Sequence, residues 1–143
     1  MIRAVAILLL ACVVPAMAMG DRAYRQAQFD YQLHCQGCHS PDGAGADTVP
    51  RLKGHVGLFL GSTSGREYLV RVPGSAISAL DDERLAGVLN WIVLEFAGDS
   101  LADDFRPYSA EEVGQSRRRP LNEVDQYRGQ LLRVLVDTTG GEQ

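Results

Sequence analysis

The sequence predicts a small all-α protein whose C-terminus carries an additional helical segment. Apolar residues recur at the spacing of an α-helix in residues 21–33, 81–96 and 121–136. No part of the chain has the βαβ setting of a mixed α/β fold. The length of 143 residues suits one small domain with a single hydrophobic core.

The predicted helices that bracket the middle of the chain have distinct signals. Residues 21–33 carry an apolar stripe that ends just before two cysteines. Residues 81–96 begin with Asp81, Asp82 and Glu83, and negative charge is favourable at the positive end of a helix dipole. Gly98 then provides a plausible C-terminal stop.

The segments between and after these helices contain more turn residues. Residues 40–45 predict a loop, and residues 49–65 predict irregular or briefly helical backbone. Residues 68–72 form a short apolar element that the following Pro-Gly pair would stop. Residues 109–112 have a capping-box pattern that predicts a short helix before the last one at 121–136.

Cys35, Cys38 and His39 form the motif that indicates chemistry. Two thiols three residues apart, followed by an imidazole, are what covalent attachment of a c-type haem requires. One helical turn brings both sulfurs to the same edge of the macrocycle, where each adds to a vinyl group. His39 is then placed beneath the iron as the proximal ligand. The motif predicts one covalent haem c with its iron.

Two other interpretations of the cysteine pair are less well supported. A thioredoxin-like redox motif needs a βαβ setting, which is absent from the pattern. A zinc site needs further ligands, but no second cysteine pair follows, and His34 and His55 match no zinc spacing.

The N-terminus has the features of a secretory signal peptide over residues 1–18. Arg3 supplies a positive start, residues 4–14 form an apolar run, and residues 16–18 give a small-x-small cleavage site. The run is too short for a membrane anchor. Export to the periplasm agrees with the haem motif, because such haems are attached outside the bacterial inner membrane. Apolar residues follow Cys12, so lipid anchoring there is not expected.

The charge balance constrains the partners. With 14 Lys and Arg against 18 Asp and Glu, the formal net charge is −4. This balance argues against nucleic acid as a partner and weakly favours basic or dipole-matched proteins. Solubility alone would account for the balance equally well.

Three segments resemble the class I cytochrome c family. Residues 31–45 are similar to the end of the family's first helix and its haem loop, and residues 50–54 resemble its P-x-L-x-G segment. Residues 80–92 resemble the closing helix that crosses the first one. The resemblance extends over residues 23–96.

The resemblance implies a cytochrome c-like helical domain around the haem over residues 19–98, with residues 99–143 as a C-terminal helical extension. It also implies that the Pro50 carbonyl accepts a hydrogen bond from the ring N–H of His39. That bond would direct Nε2 toward the iron and raise the basicity of the ligand. The apolar stripes of the extension need a cover, which is either the domain itself or a partner. We expect packing against the domain, because both helices are short and Pro107 and Pro120 suit tight reversals against a surface.

The chain departs from this family at the sixth iron ligand. Family members usually supply a Met before the last helix, but residues 68–80 contain no Met, His or Lys. The Met residues all lie within the first 19 positions. His55 would give bis-His iron, but it follows a segment that lies on the proximal side in the family. His34 is expected at the haem edge or in solvent. We therefore expect a five-coordinate or weakly ligated iron and leave the sixth ligand open.

Arg71 is a candidate partner for a haem propionate, because its planar guanidinium suits a bidentate pair. A solvated surface arginine explains the residue equally well.

The expected function is one-electron transfer by a periplasmic monohaem cytochrome, with redox proteins of the periplasm or inner membrane as partners and no enzymatic step. Two alternatives stay open: a haem protein that binds a gas or peroxide at a vacant sixth position, and a non-catalytic haem subunit of a larger oxidoreductase. The missing Met favours the first alternative, whereas the lack of an evident distal His or Arg counts against it.

Overall fold

The computed structural model describes residues 16–139, with side chains over residues 20–135. Within these residues the chain is helical and contains no β-strand, which confirms the predicted all-α class. The predicted signal peptide lies mostly outside the described residues. The α-helices are α1 (Ala16–His34), α2 (Gln36–His39), α3 (Thr63–Arg71), α4 (Pro73–Ala76), α5 (Asp82–Phe96), α6 (Ala110–Arg117) and α7 (Val124–Thr139), with 3₁₀ helices at Val56–Gly61 and Gly98–Ser100.

The packing of α1 against α5 forms the centre of the fold. Tyr31 of α1 is buried, and its ring lies 4.9 Å from that of Trp91 and 5.4 Å from that of Phe96. The Asp81 carboxylate caps α5 by accepting a hydrogen bond from the Arg84 amide at 2.8 Å. The acidic start predicted from the sequence therefore marks the beginning of this helix.

A buried carboxylate also joins these two helices. Asp30 of α1 is almost fully buried and forms an ion pair with Arg84 of α5, whose Nε donates to Asp30 Oδ2 at 3.1 Å. Gln26 Nε2 donates to Oδ1 at 3.0 Å. These donors satisfy a charge that would otherwise be costly to bury.

The middle of the chain is more helical than the sequence predicts. The helix α3 extends over Thr63–Arg71, so the predicted element at 68–72 is only its second half. Ser62 caps α3 by accepting from the Gly65 amide at 3.0 Å. Pro73 does more than stop this element: it is the first residue of α4, where the missing N–H of proline costs nothing.

The C-terminal extension packs on the helices that precede it, as its apolar stripes predict. Val113 of α6 and Tyr108 are buried in the same hydrophobic core as α1 and α5. The Asn90 side chain bonds both backbone groups of Tyr108, accepting from N at 2.7 Å and donating to O at 3.0 Å. Residues on both sides of Gly98 thus share one core.

The helix α7 joins a second apolar cluster beside this core. Phe59, Tyr68 and Leu121 form its buried part, and the α7 side chains pack against them. The rings of Tyr68 and Tyr127 stack with centroids 6.1 Å apart. None of the described helices is long and apolar enough to cross a membrane.

Candidate functional site

The helical turn after α1 places the cysteines and the histidine of the motif together. The Cys35 amide continues α1 by donating to Tyr31 O at 2.9 Å. The amides of Cys38 and His39 both donate to Cys35 O, at 3.1 and 3.0 Å. Cys35, Cys38 and His39 consequently line one cavity of about 330 Å³. This volume falls in the range of roughly 300–1,000 Å³ that is usual for small-molecule sites.

The cavity is lined mainly by aliphatic and aromatic side chains. They come from the segment after the motif, from α3 and its preceding 3₁₀ helix, from the residues on either side of α4, from the inner face of α5 and from the start of α7. The apolar members are Val49, Pro50, Leu52, Val56, Phe59, Tyr68, Leu69, Val72, Leu80, Leu85, Val88, Leu89, Ile92, Val93 and Val124.

The orientation of His39 is set by the carbonyl of Pro50. His39 Nδ1 lies 3.2 Å from Pro50 O, so the neutral imidazole donates its proton there and leaves the Nε2 lone pair free. Burial lowers the pKa of His39, and the bond to Pro50 opposes this only in part. The ring is therefore held in the neutral form that binds a metal ion.

Glycine at position 43 allows the loop after the motif to fold tightly. Gly43 has φ of +70°, and a Cβ there would lie 2.9 Å from Cγ of Phe96. Its carbonyl accepts from the amide of Leu52 at 2.8 Å, which draws the Pro50 segment toward His39. Tyr31 fixes the start of the loop by donating from its hydroxyl to Ser40 O at 2.6 Å.

The two thiols differ in their surroundings. Cys38 is exposed, whereas Cys35 is partly buried. Burial is the main cause that raises the pKa of the Cys35 thiol to about 11. A free Cys35 is therefore protonated near neutral pH.

His55 and Arg71 lie outside the cavity lining. His55 Nδ1 is 2.9 Å from Arg51 Nη2 and 3.2 Å from Lys53 O. Arg71 Nε donates to Arg119 O at 2.7 Å, so its guanidinium faces the extension. Neither residue is brought to the motif, unlike Pro50. His34 does line the cavity, as expected for a residue at its edge.

Three charged residues in the lining, Arg51, Asp125 and Arg128, were not predicted from the sequence as site residues. Asp125 and Arg128 of α7 line the cavity, and the guanidinium carbon of Arg128 lies 5.9 Å from the centroid of the Phe59 ring. The amphipathic pattern of α7 predicts a helix but does not show which cavity it faces. The Met and Lys side chains that could ligate iron are absent from the described lining, and His34 and His39 are its imidazoles.

These residues fit a covalently bound haem. The thiols lie on the turn that also carries a neutral imidazole, and the remaining walls are apolar enough for a porphyrin ring. An all-α domain with this arrangement defines the class of c-type cytochromes.

Comparison with known proteins agrees with this class. The chain is 33% identical over 135 residues to a cytochrome c-552 of Thermus thermophilus, a match that covers 81% of this chain and 86% of the relative. A second cytochrome c-552 from this species is 34% identical over 106 residues, a match that covers 61% of this chain and 81% of the relative. No family model matches the chain. The chain belongs to the cytochrome c family, and its cofactor is covalent haem c with iron.

Proposed function

We propose that this protein carries single electrons between redox proteins, with Cys35 and Cys38 holding the haem and His39 binding its iron. The observation that carries the proposal is the convergence of these three residues on one apolar cavity, with His39 Nδ1 3.2 Å from Pro50 O. The haem supplies the one-electron chemistry when bound. No side chain of the protein has to donate or accept a proton.

The protein's own contribution is to orient the ligand and exclude water. The Pro50 carbonyl fixes the tautomer of His39 and increases the basicity of Nε2. The aliphatic face of α5 keeps solvent from the inner side of the cavity. Cys38 is exposed, so it would hold the bound haem by an edge that a partner can approach.

We propose that arginines in the cavity lining, in place of Arg71, form ion pairs with the haem propionates. Arg51 and Arg128 are the arginines of the described lining, and a guanidinium there can neutralise a carboxylate. Arg71 instead connects α3 to the extension through Arg119 O.

We further propose that the protein works in the periplasm, with partners there or in the inner membrane. The support is the signal-peptide pattern of residues 1–18 and the need to attach haem c after export. The same partners would apply if the protein serves as the haem subunit of a larger oxidoreductase.

A second candidate function is binding of a small ligand at the iron. It is favoured by a described lining without Met or Lys and by the position of His55 outside that lining. Arg128 adds a cavity-lining arginine, the kind of group whose absence from the sequence pattern counted against this function.

Mass spectrometry of the exported protein tests the main proposal. We expect the mass of the chain plus one haem that survives denaturation, and a reversible one-electron redox titration. Cys35→Ala and Cys38→Ala should abolish stable double attachment, while Gln36→Ala, in the same turn, should load normally. Haem that can be extracted into acidic solvent from the unsubstituted protein would contradict the proposal.

A further inference from the structure

One wall of the haem cavity is formed by most of α4 and the loop that leads from it to α5. Gly74, Ser75, Ser78 and Leu80 of this segment line the cavity. We call residues 74–80 the wall loop. None of its side chains is a strong iron ligand, so its role at the cavity is to bound the space next to the haem.

A single side chain from the extension holds the wall loop in place. Arg117, at the end of α6, donates from Nε to Ala76 O at 3.1 Å, from Nη2 to Ser78 O at 2.7 Å and from Nη1 to Leu80 O at 2.7 Å. Nη1 also lies 3.1 Å from Asp82 Oδ1, at the start of α5. One guanidinium thus bonds four acceptors within seven residues.

The wall loop also has hydrogen bonds of its own. Ser78 Oγ accepts from the Leu80 amide at 3.1 Å, and the Ile77 amide donates to Pro73 O at 3.1 Å. Hydrogen bonds to a charged donor are stronger than neutral ones, and the Arg117 side chain is only 15% exposed. Without Arg117, three carbonyls of this segment would have to find water instead.

We propose that Arg117 is a positioning residue that closes the haem cavity on the wall-loop side and so limits the access of small uncharged diatomic ligands to the iron. The inference rests on the proposed role of His39 as the iron ligand. The extension acts here through a side chain that does not itself line the cavity. The class of ligand follows from the aliphatic lining, which favours an uncharged molecule over an anion.

Carbon monoxide binding to the reduced, haem-loaded full-length protein is the test. In Arg117→Gln the carbonyls that Arg117 held turn toward water, and the wall loop opens. Carbon monoxide should then associate with the iron about tenfold faster or more. This is the change in an equilibrium constant expected from the loss of one charge-assisted hydrogen bond. Arg117→Lys keeps the positive charge but loses the planar guanidinium, so its carbon monoxide association rate should be intermediate. Arg118 is the exposed neighbour of Arg117, so Arg118→Gln should bind carbon monoxide at the rate of the unsubstituted protein.

Thermal unfolding of the same variants separates positioning from a purely structural role. If Arg117→Gln lowers the melting temperature but leaves the carbon monoxide rate unchanged in the folded range, the inference is overturned. It is also overturned if the unsubstituted haem protein binds no carbon monoxide. If the unsubstituted chain carries no covalent haem, the proposed function itself fails, which the mass measurement reports separately.

Asp82→Asn provides a milder variant in case Arg117→Gln does not load haem. It weakens only one of the four contacts, so we expect a smaller acceleration of carbon monoxide association. If neither Asp82→Asn nor Arg117→Lys loads haem while Arg118→Gln does, the residue serves folding alone, and the inference is wrong.

Discussion

Arg66 of α3 and Glu112 of α6 form a two-point ion pair, with Nε 2.9 Å from Oε1 and Nη2 3.0 Å from Oε2. Arg66 is mostly buried, and its Nη1 donates to Arg106 O at 2.7 Å. The Arg106 guanidinium also contacts Glu112, at 3.1 Å. The pair therefore ties the extension to the helix that forms part of the cavity wall.

Glu112→Gln should destabilise the protein in a pH-dependent way. Burial alone would raise the pKa of Glu112, but hydrogen bonds from Arg66 and Arg106 outweigh it and lower the pKa from its usual value. Stability from this carboxylate is therefore present above the unfolded-state pKa and is lost as pH falls through the folded-state pKa. We expect the free energy of unfolding to fall by about 1–3 kcal/mol near neutral pH, because Arg66 then faces a neutral amide in place of a carboxylate.

Urea unfolding at neutral pH and well below the pKa of Glu112 provides the measurement. The difference between the variant and the unsubstituted protein should shrink at the acidic pH. Glu111→Gln, on the exposed face of the same helical turn, serves as the control. A difference that stays constant across the pH range would show that the charge of Glu112 is unimportant.

Truncation after Gly98 should prevent folding. It removes Tyr108 and Val113 from the main core and exposes the apolar surface on α5 that they cover. It also removes α7, which lines the cavity through Arg128 and its neighbours. Haem loading and the circular dichroism melting curve report the outcome, with a chain ending at Thr139 as control. A shortened protein with an unchanged haem spectrum and melting temperature would make the extension a partner-binding element.

Gly43→Ala should cost roughly 1–2 kcal/mol for the left-handed backbone alone, because φ is +70° there. The added methyl group would also meet the Phe96 ring. Chemical denaturation of the haem-loaded protein gives the free energy of unfolding. Gly37→Ala is the matched control, since a Cβ at Gly37 meets nothing within 4 Å. Equal stability of the two variants would exclude this constraint.

His55→Ala should leave the haem spectrum nearly unchanged. His55 is bonded to the Arg51 side chain and is absent from the cavity lining. His39→Ala should by contrast remove the proposed iron ligand and alter the spectrum of any haem that remains attached. Absorption spectra of the two variants, each in the ferric and the ferrous state, provide the measurement. Conversion from low-spin to high-spin iron in His55→Ala would identify this residue as the sixth ligand.

Arg128→Gln should lower the reduction potential of the haem. Ferric haem carries one more positive charge than ferrous haem, so a nearby cation disfavours the oxidised state, and its removal stabilises that state. Arg71→Gln, which changes an arginine outside the lining, should shift the potential less. Spectroelectrochemical titration measures both. A larger shift for Arg71→Gln would restore that residue as the propionate partner.

The sequence by itself determined the local features of this protein. The turn at Cys35–His39 and the cap at Ser109 join residues three or four positions apart, so short motifs reveal them. Asp81 was predicted in the first turn of its helix and is instead the residue that caps it. One of the two hydrogen bonds of the predicted capping box is present: Ser109 Oγ accepts from the Glu112 amide. The second is replaced, because the Glu112 carboxylate binds Arg66. The Glu112 carboxylate instead binds two guanidinium groups, those of Arg66 and Arg106, which each carry a full positive charge and several N–H donors.

Only the tertiary structure decided which distant residues meet at the cavity. The sequence analysis offered Arg71 as a cationic partner and did not identify Arg128, but α3 directs Arg71 toward Arg119, and the packing of α7 brings Arg128 to the cavity. The extension likewise became part of the core because Tyr108 and Val113 bury apolar surface against α5. Such contacts depend on how helices pack across many intervening residues, and helical periodicity specifies which face is buried but not its partner.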